Sequence, residues 1–65
     1  MDKIEQADIG TARIGDIVRF KSYSLTVEEA ELLKGGIRIY GSASNSSMAV
    51  RKDFMFGRTV TISRA

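Results

Sequence analysis

The chain has no cysteine, no histidine, no proline and no tryptophan among its 65 residues. Without cysteine there is no disulfide, and without cysteine or histidine there is no ligand set for zinc. The same two absences remove the usual general base and the thiol nucleophile, leaving catalysis to a Ser–Lys pair or to paired carboxylates. The expectation is therefore a protein that is not an enzyme and carries no cofactor. The lack of proline leaves every backbone N–H free to join a sheet ladder. No apolar run approaches the roughly 18 residues of a membrane-spanning helix. The first ten residues have neither the basic start nor the apolar middle of a secretory leader, so a cytoplasmic location is expected.

Length sets the next bound. A chain this short makes one domain and buries only about 60% of the surface its unfolded form exposes. Small domains supplement such a core with disulfides, metals or self-association, and here only self-association is open. Net charge is +2, but the signs are uneven. Asp2, Glu5 and Asp8 crowd the start, and from Asp16 onward eight basic residues face five acidic ones. The main body is thus mildly basic, well short of a nucleic-acid tail.

Patterning is strongest at Gly15-Asp16-Ile17-Val18-Arg19-Phe20-Lys21, where a turn signal opens an alternating run with Val18 and Phe20 on one face and Arg19 and Lys21 on the other. Ile37-Arg38-Ile39-Tyr40 alternates in the same way. Residues 48–51 read as a strand with Met48 and Val50 inward, 53–57 as a tight or single helical turn, and Thr59-Val60-Thr61-Ile62 as a final β-branched strand. The polar run 41–47 reads as a mobile loop. Residues 1–13 form an N-terminal arm or a short helix closed by Gly10. Residues 25–34 are ambiguous. Thr26-Val27-Glu28-Glu29 has the form of a capping box and Gly35-Gly36 suits a helix end, whereas Leu25 and Val27 equally make the inward positions of a strand that continues past a bulge to a hairpin turn. The strand reading gives an all-β, small SH3-like five-stranded barrel over residues 14–65. The alternative is an α+β domain with one short helix at 26–34.

From Gly15 to Ser22, followed at short distance by Leu25-Thr26-Val27-Glu28-Glu29, the chain resembles the YodC-like family of small bacterial proteins. In that family a Gly-Asp-x-Val-x-Leu-Lys-Ser opening leads through Gly-Gly-Pro into Met-Thr-Val. Tyr23 and Ser24 replace that turn here, and the family's later Cys-x-Trp strand is echoed only by Ile37 to Tyr40. The resemblance implies a small β-rich domain with no assigned activity and supplies no functional residues. Ser24 to Leu33 is also similar to the first helix of excisionase-type winged helix-turn-helix domains. There a turn and recognition helix follow at once, while here Gly35-Gly36 and an alternating run intervene.

Two surfaces carry functional expectations. Phe54-Met55-Phe56 places three large apolar residues in succession between charged flanks, which a small core cannot absorb together. With Ile17 they form the candidate interface for a protein partner or a homo-oligomer. Arg19, Lys21, Arg38, Tyr40 and Arg51 project away from the apolar positions of their strands. If those strands are neighbours, they make a basic stripe with one aromatic, suited to nucleic acid. The expected function is a non-enzymatic β-barrel module acting through protein contacts and self-association. The alternative is nucleic-acid binding through the stripe.

Overall fold

A computed structural model describes residues 3–65 as seven short elements. These are β1 (Lys3–Asp8), a 3-10 turn (Ile9–Thr11), β2 (Ile17–Arg19), β3 (Ser24–Leu33), β4 (Gly36–Ala43), β5 (Ala49–Met55) and β6 (Thr59–Arg64). The six strands form one antiparallel sheet in the order β1-β6-β2-β3-β4-β5. The all-β class expected from the alternation is what the chain adopts, and the helix at 26–34 is not formed. A capping box can specify only two turns of helix there, which are marginal without packing. As a strand, the same residues bury Leu25 and Val27 and pair with eight positions of β4.

Three expectations are corrected. The sheet has six strands rather than five, because residues 3–8, expected as an arm or a helix, pair along their whole length with β6. Acidic residues near a helix start count for little against a ladder onto the β-branched run of β6. Residues 1 and 2 of that expected arm lie outside the described residues. The sheet is also not closed among the described residues, since β1 and β5 do not pair. Its two ends meet through a turn instead. After β5 the chain crosses over at residues 56–58, where the Arg58 carbonyl accepts from the Ile9 N–H at 2.8 Å and the Gly57 N–H donates to Asp8 Oδ1 at 2.6 Å. Finally, β4 and β5 run further than their composition suggests. Gly41 and Ala43 are buried within β4, β5 continues through Asp53 to Met55, and Met48 is exposed.

The core lies on one face. Val18, Leu25, Ile37, Ile39 and Ile62 are fully buried there, with Val27 and Val60, and Ile9 and Ala12 of the 3-10 region close over them. Each large aliphatic group so buried stabilises the fold by about 1.5–3 kcal/mol. The bulge in β3 between Val27 and Glu29 bends the strand and keeps the faces in phase,. Gly41 sits opposite that bend, where a Cβ would collide with the Thr26 carbonyl. At the β3–β4 hairpin, Gly35 has φ +82°, a conformation that costs glycine little and other residues more,.

Candidate functional site

The register decides which of the predicted functional residues share a surface. Arg19 lies on β2, opposite Ser24 of β3 and Thr61 of β6. Arg38, Tyr40 and Arg51 lie on β4 and β5, with β3 intervening. The expected five-residue stripe is therefore divided, because β2 and β4 are not neighbours. Arg38 is also engaged. Its Nε and NH2 donate to the two Asp53 carboxylate oxygens at 2.9 and 3.1 Å, and Glu31 lies 3.8 Å from NH1. Glu31, Arg38 and Asp53 are cross-strand partners, so three adjacent strands contribute a row of alternating charge,. Hydrogen bonding to Arg38 holds the Asp53 carboxyl below the usual carboxylate range, and the Arg38 guanidinium is correspondingly harder to deprotonate.

Arg19 and Lys21 have different company. The pairing of β2 with β6 ends at Arg19 and Thr61, while β6 extends back to Thr59 beside β1. Where the chain departs at Phe20 and Lys21, a groove of about 430 Å³ opens between it and β6. Gln6, Arg19, Lys21, Arg58, Thr59 and Thr61 contribute polar groups to it, and Phe20 and Val60 its apolar part. Arg19 Nε donates to the buried Ser63 Oγ at 2.9 Å, which fixes the stem of that side chain. The Arg58 guanidinium stands 5.4 Å from the Phe20 ring and 5.5 Å from that of Phe54. Phe20 stacks on Phe54 at 5.6 Å and on Tyr23 at 4.8 Å, and Lys52 lies 5.4 Å from Tyr23. These rings are thus occupied by one another and by cations.

The run Phe54-Met55-Phe56 is divided three ways. Phe54, the β5 partner of Ile37, packs against the core. Met55 points to the other face of the strand and is 79% exposed. Phe56 lies in the turn against Gly10, where a Cβ would meet its ring at 2.7 Å, and remains 45% exposed. Ile17 is half-buried on the Arg19 face, beside Thr26 and Ser63. A second apolar surface was not anticipated. Ala30 and Leu32 pair with Ile39 and Ile37, yet β3 here extends beyond the cover of the core. Leu32 is left 68% exposed beside the equally exposed Ile14, and a groove of about 300 Å³ lies between their segments.

Residues missed in the sequence include Arg58, Gln6, Thr59 and Thr61. The alternation of Thr59 and Thr61 places both on one face, which was a usable signal, whereas the place of Arg58 in the same groove as Lys21 depends on the crossover. Also missed was a polar cluster at the far end of β6. Asp16 is only 4% exposed and accepts from the Arg13 N–H at 2.9 Å, Arg64 NH1 at 2.9 Å and the Ala65 N–H at 3.2 Å. Arg64 also pairs with Glu5 and donates to the Thr11 carbonyl. Burial pushes the Asp16 carboxyl up, but the two backbone N–H donors and the guanidinium outweigh it and hold it below its ordinary value.

No family model matches the chain, and neither a curated protein nor a solved structure is significantly similar to it.

Proposed function

We propose that this chain is a small non-enzymatic β module of the bacterial cytoplasm that works through protein contacts, with self-association as the first of them. One observation carries the reading. Ile14, Leu32, Met55 and Phe56 expose large apolar area on a 65-residue domain whose own core is small. Such side chains ringed by charge are characteristic of interfaces. Pairing with a second copy supplies the burial that a short chain lacks.

An SH3-like architecture is part of the same proposal. The order β6-β2-β3-β4-β5, with a long bent β3 and a crossover turn before β6, supports it, with β1 added outside β6. The resemblance to the YodC-like family falls on the turn before β2, on β2 and the residues that follow it to Ser22, and on the first half of β3.

Light scattering across protein concentration, at low and high salt, tests the proposal. A dimer or larger assembly that persists in high salt is expected, because apolar contacts are not screened. Leu32→Ser combined with Met55→Ser should return it to monomer with the β signature of the circular dichroism spectrum intact. A strict monomer at every concentration would sink the reading.

A further inference from the structure

The cations of this protein divide by what faces them. All four ion pairs among the described residues use Arg38 or Arg64. Arg19, Lys21 and Arg58 instead line one groove to which no carboxylate among the described residues contributes. We propose that this groove, between the departing end of β2 and the start of β6, binds the sugar–phosphate backbone of a single-stranded nucleic acid. The proposal goes beyond the protein-contact reading and uses none of its apolar residues.

Three features favour this occupant. First, the nearby acids are committed elsewhere. Asp8 gives one carboxylate oxygen to the Gly10 N–H and the other to the Gly57 N–H, and Glu5 is paired with Arg64. Among the described residues Arg19, Lys21 and Arg58 form no ion pair, so three unpaired cations meet in the groove on a chain of only +2 overall. Second, the donors repeat along a line. Thr59 and Thr61 stand two residues apart on one strand, about 6.6 Å, of the order of the phosphate repeat along a nucleic-acid strand. Cations from β2 and from the turn before β6 flank them. That spacing suits a chain of phosphates better than one isolated phosphate. Third, the groove is a short recess of about 430 Å³ between neighbouring segments of one sheet, a size that suits a few sugar–phosphate units of one chain.

The aromatic stack qualifies how the strand is read. Phe20 is already covered by Tyr23, Phe54 and Arg58, so it offers no clear platform on which a base can stack. Recognition is consequently of phosphate and sugar, with little dependence on sequence.

Fluorescence anisotropy with labelled oligothymidine and oligouridine, over about 50 to 200 mM salt, tests this. With three phosphates neutralised and a contribution of roughly 0.7 each, the slope of log affinity against log salt should be about −2. Lys21→Gln and Arg58→Gln should each weaken binding severalfold and flatten the slope by about 0.7. Arg58→Lys should keep the slope, and Arg38→Gln should change neither quantity. Lys21 makes no side-chain hydrogen bond or ion pair among the described residues, so its variant remains informative even if Arg58→Gln unfolds. Four results would overturn the proposal. They are no salt-dependent binding, wild-type binding by both groove variants, an equal loss in Arg38→Gln, or a duplex or phosphorylated peptide held at least as tightly as the single strand.

Discussion

Strand β6 has an arginine at each end, and the two ends are used differently. Arg64 closes it among Glu5, Asp16 and the Thr11 carbonyl, with every neighbour placed to accept. Arg58 precedes it and faces two aromatic rings and open solvent, with no acid within ion-pairing distance among the described residues. One end is therefore a structural clasp that ties the C-terminal residues to the turn before β2. The other is a cation held in place by packing and left free to meet something else. The identity of the residue does not separate them, and its partners do.

The largest effect should come from breaking the clasp. Asp16→Asn leaves an amide facing two backbone N–H donors and a guanidinium in a nearly inaccessible site, and a loss of about 3 kcal/mol is expected from urea unfolding. Arg64→Gln should cost less, about 1–2 kcal/mol, because the side chain is partly exposed and the carboxylate it abandons keeps its backbone donors,. A cost for Asp16→Asn below that for Arg58→Gln would reverse the assignment of the two ends. Acid should act on the clasp and on the Arg38–Asp53 pair. The carboxyls of Glu5, Asp16 and Asp53 are all held below their ordinary values in the fold. Their contribution is present above the unfolded carboxylate pKa of about 4 and is lost as pH falls through the lower folded values. The melting temperature should thus be flat near neutrality and drop on acidification below about pH 4, less steeply in Asp16→Asn. A profile unchanged by that substitution would remove Asp16 from the account.

Arg58→Gln comes next in size. It removes a cation from beside two rings, a contact worth about 0.5–1 kcal/mol at exposed sites. Its effect on oligonucleotide binding should exceed its effect on stability, the opposite of what Arg64→Gln should show. A variant that loses stability but no affinity would place Arg58 with the clasp.

How much of this was legible depended on sequence distance. The alternation at Val18-Arg19-Phe20 and Ile37-Arg38-Ile39-Tyr40 identified inward and outward residues correctly, because period two is a local property. Residues 25–34 were balanced between helix and strand until β4 lay beside them, as happens when local capping signals and tertiary pairing compete. β1 was unreadable as a strand since its partner lies more than fifty residues later, at Thr59–Arg64. The same holds for the sites. Arg19, Arg38 and Arg51 lie on the outward side of their strands, Lys21 lies beyond the end of β2, strand order separates Arg19 from Arg38, and the crossover brings Arg58 in. Asp16 looked like a turn residue and is also the buried centre of the clasp, a role visible only once Arg64 and Ala65 return to it.

The smallest effect should be at Arg38, and it sharpens the comparison most. Its bidentate pair with Asp53 and its approach to Glu31 make it the most elaborately paired side chain outside the clasp. The acids that hold it are about half exposed, however. Coulombic gain there is screened by water and offset by the entropy of ordering long side chains. Arg38→Gln should accordingly leave the denaturant midpoint nearly unchanged, and a double-mutant cycle with Asp53→Asn should show only weak coupling that fades in salt. Strong, salt-insensitive coupling would mean that the outer face of β3, β4 and β5 is a second clasp. Burial, rather than the number of partners, would then have failed as the property that separates the structural arginines from the rest.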